Sequence, residues 1–134
     1  MLEVVEPGPF ACVQDRGRAG YAALGVARAG AFDVGAHDLA NRLVGNSAQA
    51  ATIEFTFGGL TLRMHDAATV AVTGAPVAGL DYLRPVTLPA GAMVRFGVPQ
   101  AGVRSYLAVR GGIDVEPVLH SRSRDTLGDI GPPA

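Results

Sequence analysis

Between turns bearing glycine or proline, the chain repeats short runs rich in β-branched and aromatic residues: LEVV, FACV, IEFTF, LTLRM, TVAVT, PVTL, AMVRF and SYLAVR. Runs of this kind, bounded by turn residues, predict strands, and their density predicts a mainly β protein built as a compact barrel or sandwich. In TLRMHD and AMVRFG apolar and polar positions alternate with period two, as in strands with one wet face. TVAVT is small and mostly apolar, so a buried strand is expected there.

One segment has a different period. Across DVGAHDLANRLVGN, residues 33–46, Ala36, Leu39, Ala40, Leu43 and Val44 recur at helical spacing and form one apolar face. Asp33 is suited to cap the N-terminus, and Gly45 or Asn46 to supply the left-handed residue that ends the helix. His37 falls on the polar side of this pattern, and it is expected at the surface or in a capping role together with His65 and His120. The expectation is one short helix lying across a β framework, in one domain over residues 1–134.

Composition narrows the range of partners. The chain has 134 residues, 49% hydrophobic and 17% charged, which suits a chain that buries a sizeable core. All 11 basic residues are arginine, set against 12 acidic ones, so no basic field draws the chain to nucleic acid. The absence of lysine removes Schiff-base chemistry, and leaves anions to be gripped by arginine forks or backbone amides. The most apolar region, AATVAVTGAPVAGL, is broken by Gly74, Pro76 and Gly79, so no membrane span is expected. A single cysteine, Cys12, and no leader-like start favour a cytoplasmic location. Cys12 itself lies in an apolar strand and reads as a small core residue. The three histidines are scattered, so no metal site is expected.

Four places carry candidate chemistry. In VQDRGRAG, Gly17 and Gly20 let the backbone bend tightly beside Gln14, Asp15, Arg16 and Arg18, so the loop can hold a planar amide or carboxylate, or can be a turn closed by its own side chains. Glu54, among small and apolar neighbours, is either a buried partner for arginine or a strand-edge carboxylate. Arg110, Gly111 and Gly112 begin RGGID, where exposed amides can make an anion-binding concavity. Ser121, Arg122, Ser123 and Asp125 in SRSRD suit phosphate or carboxylate recognition, or a solvated loop. No nucleophile stands out, and the catalytic residues are not identified by any familiar motif.

In order along the chain, VQDRGRAGY, GVARAGAFD, ANRLVGN, IEFTFGG, VAVTGA, SYLAVRGGIDV and VLHSRSRDTLG resemble successive signatures of the biotin-dependent carboxyltransferase-like family. That family includes allophanate hydrolase subunit 2, the C subunit of 5-oxoprolinase, KipA-type regulators and a region of urea carboxylase. The resemblance implies a cyclophilin-like β-barrel with one short helix, as the N-terminal part of a longer two-part chain. It implies a component of an amide-processing enzyme, with ATP-dependent opening of 5-oxoproline to glutamate as the favoured reaction. The alternatives are a KipA-type, non-catalytic partner-binding regulator and biotin-dependent carboxyl transfer to urea. Implied partners are a B-type subunit, an A-type ATPase subunit and a small amide substrate. No cofactor is expected on this chain alone; ATP is used by the assembly, and biotin enters only with the carboxyltransferase alternative. The resemblance strengthens the site role of Gln14, Asp15, Arg18, Arg110, Ser121, Arg122 and Ser123.

Overall fold

In a computed structural model, the structure describes residues 2–15 and 31–113. Each of the eight predicted runs is a strand: β1 (Leu2–Glu6), β2 (Phe10–Gln14), β3 (Thr52–Thr56), β4 (Thr61–Met64), β5 (Ala68–Gly74), β6 (Val86–Leu88), β7 (Met93–Arg95) and β8 (Arg104–Val109). The helix α1 spans Val34–Leu43, between β2 and β3. A mainly β fold with one helix is therefore correct.

Closure is where the barrel expectation needs correcting. Among the described residues the strands form two antiparallel sheets, β1-β4-β7 and β2-β3-β8-β5-β6, and no closed barrel. Alternation along the strands explains how they stack. From β3, Ile53 and Phe55 point to one side, and from β8, Leu107 and Val109; there they meet Leu62, Met64 and Val94 of the smaller sheet in the main core. Phe55 and Phe96 stack at its centre with ring centroids 4.9 Å apart. Burial of these side chains supplies most of the drive to fold, at roughly 1.5–3 kcal/mol for each large apolar residue.

The opposite face of the five-stranded sheet receives α1. Ala71 of β5 and Tyr106 and Ala108 of β8 pack with Ala40 and Val44 in a second, smaller core. Asp33 caps the helix as expected, its Oδ1 accepting from the Ala36 amide at 3.0 Å. At the other end Gly45 takes φ +79°, the left-handed turn that closes a helix, and no side chain would crowd it there. The buried stripe of α1 is His37, Ala40 and Asn41, continued by Val44, so it is rotated from the purely apolar face. His37 is thus not a surface residue: it has no solvent exposure and sits against β3, with Nδ1 2.9 Å from Thr52 Oγ1. His65 does lie at the surface, 2.9 Å from Glu3.

Candidate functional site

Strand register brings the candidate residues together. Cys12 of β2 stands opposite Glu54 of β3, Glu54 opposite Tyr106 of β8, and Tyr106 opposite Thr73 of β5. Cross-strand partners share a face, so one polar row runs across four strands on the side that α1 covers. Gln14 and Thr52, paired two residues along, extend this row.

Glu54 is the hub of the row. Its Oε2 accepts the Tyr106 hydroxyl at 2.6 Å and the Phe32 amide at 2.9 Å, and Arg104 Nε lies 3.9 Å from Oε1. Tyr106 in turn accepts the Asp33 amide at 2.8 Å, so one phenol ties the buried carboxylate to the residue that caps α1. Burial first, and then the hydrogen bond to Glu54, push the Tyr106 phenol well above the usual tyrosine range. Tyr106 therefore stays protonated and donates to Glu54 at any physiological pH. His37 packs edge-on to Tyr106, with ring centroids 6.5 Å apart.

Gln14 occupies the other end. It is 5% exposed; its Nε2 donates to Cys12 Sγ at 3.0 Å, while its carbonyl oxygen is buried without a hydrogen-bond partner among the described residues. A buried acceptor left unpaired costs about 1–3 kcal/mol. Replacing Gln14 by leucine removes that cost along with a weak N–H···S contact. The expected result is equal or greater stability, by about 1 kcal/mol, read as a melting temperature no lower than that of the wild type.

Asp15 is also buried, and its carbonyl accepts the Ala31 amide at 2.8 Å, which brings the end of β2 beside the approach to α1. Gln14, Asp15 and Glu54 thus lie in one neighbourhood. Arg110 does not, because it leaves β8 four residues after Tyr106, roughly 13 Å along the strand. There its Nε donates to the Val44 carbonyl at 3.0 Å, where a cation favours the C-terminal end of the helix dipole. The Gly111 amide donates to Asn46 Oδ1 at 2.9 Å and the Gly112 amide to the Val109 carbonyl at 2.8 Å, so these donors are engaged within the fold. Arg18, Ser121, Arg122, Ser123 and Asp125 lie outside the described residues.

Sequence reasoning missed Tyr106, His37, Thr52, Arg104 and Phe32. A partial signal was present in RSYLAV, where Arg104 and Tyr106 fall on one face and Ser105 and Leu107 on the other. Among the described residues, no group of three or more His, Cys, Asp or Glu side chains could hold a metal ion. Among the same residues, no helix is long and apolar enough to cross a membrane.

Comparisons with known proteins place this geometry in context. Residues 24–134 match the family model described as carboxyltransferase domain, subdomain A and B. The chain is 42% identical over 98% of its length to the C subunit of 5-oxoprolinase from Escherichia coli, and it spans 44% of that protein. It is 38% identical over 97% of its length to urea amidolyase of Lachancea kluyveri, spanning 8% of it. The crystal structure of urea amidolyase from K. lactis superposes with a TM-score of 0.92 at 37% identity, covering 97% of this chain and 8% of that one.

Proposed function

Because the chain belongs to the family of the carboxyltransferase domain, subdomain A and B, we propose that it contributes the amide-binding part of a multi-protein, ATP-dependent enzyme that opens 5-oxoproline to glutamate. The observation that carries this reading is the 42% identity, along nearly the whole chain, to a component of 5-oxoprolinase. The chain spans less than half of that relative, so the full reaction, its substrate and its partner proteins belong to the proposal.

The chemistry of the polar row supports it. Ring opening of a lactam builds negative charge on the carbonyl oxygen and needs the amide held in one orientation. In this reading the unpaired Gln14 carbonyl accepts the amide N–H of the substrate. Glu54, held by Tyr106 and the Phe32 amide, fixes the wall beside it. Arg18, Ser121, Arg122, Ser123 and Asp125 supply further polar contacts. ATP is used by the rest of the assembly. A second reading, carboxyl transfer to urea with biotin on another segment, is favoured by the match to urea amidolyase.

Reconstitution tests the first reading. This chain, combined with A-type and B-type partner proteins, is expected to give ATP-dependent release of glutamate from 5-oxoproline. Omitting the chain should abolish it. Glutamate release that continues unchanged in its absence would sink the proposal, and ATP-dependent turnover of urea instead would favour the second reading.

A further inference from the structure

We propose that Arg104, braced between Phe32 and Glu54, recognises a carboxylate on the ligand and makes this site selective for a small amide that carries one. The inference rests on the amide-binding reading above and names the substrate feature that the site selects.

Arg104 begins β8 on the same face as Tyr106, at the end of the sheet nearest the start of α1. Its guanidinium carbon stands 4.2 Å over the Phe32 ring, and Nε lies 3.9 Å from Glu54 Oε1. Phe32 is 76% exposed, so it does not serve the core. What its ring does is form a plate for the guanidinium. Stacking of this kind uses the face of the guanidinium and leaves its in-plane N–H donors free. Among the described residues, Glu54 is the ion-pair partner of Arg104, engaged at long range through Nε, and the terminal pair of nitrogens remains for another acceptor. The side chain is 35% exposed, enough to be met from solvent.

A guanidinium fork held in this way matches a carboxylate in bidentate fashion. Preorganisation lowers the entropic cost of closing the pair. The acidic groups nearby are already committed: Glu54 accepts two hydrogen bonds and is nearly buried, and Asp33 is bound to the Ala36 amide. Their negative charge is thereby partly offset, and among the described residues the outward edge of Arg104 is the positive feature of this rim. 5-Oxoproline has a carboxylate beside its lactam, whereas 2-pyrrolidinone is the same lactam without it. Urea has none either.

The test uses the assembled enzyme with Arg104→Gln and Arg104→Lys, assayed with 5-oxoproline and with 2-pyrrolidinone. For Arg104→Gln, KM for 5-oxoproline is expected to rise about 10- to 100-fold while kcat changes less, as for loss of one charge-assisted pair. Arg104→Lys should fall between that variant and the wild type, and the preference for 5-oxoproline over 2-pyrrolidinone should shrink by the same factor as KM rises. An unchanged KM and an unchanged preference would overturn the inference. So would a fall in kcat and melting temperature with the preference kept, which is the signature of a purely structural ion pair. If the wild-type assembly releases no glutamate, the amide-opening reading fails by itself. Calorimetric titration of the chain with both lactams then decides this inference: a preference for 5-oxoproline lost in Arg104→Gln supports it, and equal binding, or no binding of either, overturns it.

Discussion

Tyr106→Phe is expected to destabilise the protein by about 2–3 kcal/mol, a large effect for the loss of one oxygen atom. The hydroxyl is placed between two groups that cannot easily find substitutes: the buried Glu54 carboxylate, to which it donates at 2.6 Å, and the Asp33 amide, from which it accepts at 2.8 Å. Phenylalanine fills the same space, so no cavity term enters. What is lost is a donor to a buried charge, and such bonds are stronger than neutral ones. Glu54→Gln in the same background should recover part of the loss, because a neutral amide needs less stabilisation than a carboxylate. The pH dependence has a definite sign. The folded-state pKa of Tyr106 lies above its ordinary value of 10.0, so its contribution is complete below about pH 10 and is lost progressively as pH rises beyond it. Urea denaturation followed from pH 7 to 11 should show this decline in the wild type and a shallower one in Tyr106→Phe. Equal stability of the two proteins at pH 7 would remove Glu54–Tyr106 from the supports of the site.

Gly58→Ala is expected to cost about 3 kcal/mol or more, through the loop that joins β3 to β4. Gly58 has φ +65°, and a methyl group there would stand 1.9 Å from the Gly97 carbonyl oxygen. Backbone must move to relieve that overlap, and the backbone in question positions Phe96. The Gly59 amide donates to the Phe96 carbonyl at 2.9 Å, and the Phe96 amide to the Leu60 carbonyl at 2.9 Å. Gly45→Ala provides the control: it has a similar positive φ of +79° but nothing within 4 Å of the added carbon, so only the conformational cost, about 1 kcal/mol, should appear. Thermal unfolding of the two variants measures the difference directly. Equal losses would show that crowding against Gly97 contributes nothing.

What could be read in the sequence and what could not divide along a physical line. Strand runs and the helix are local features, so period-two alternation, the Asp33 cap and the Gly45 terminator located β1 to β8 and α1 closely. Sheet closure depends on which distant strands pair, and nothing in FACV or SYLAVR says that β3 will lie between them. The burial of His37 was hidden for a related reason. A polar residue is buried only when a partner such as Thr52 meets it in space, and Thr52 is brought to His37 by the packing of α1 against β3. Glu54 was legible as an odd carboxylate among apolar neighbours, but Tyr106, its main donor, looked like an ordinary strand aromatic 52 residues away. Arg110 shows the converse: its Gly-Gly context suggests anion binding, and its place at the far end of α1, with Nε donating to the Val44 carbonyl, follows from packing that the local sequence does not encode.

If substrate binds on the polar face between β2, β3 and β8, Gln14→Leu separates that role from stability. In the reconstituted assembly, kcat/KM of this variant for 5-oxoproline is predicted to fall at least about 10-fold, while the melting temperature of the chain stays the same or rises. An unchanged kcat/KM would contradict binding at this face.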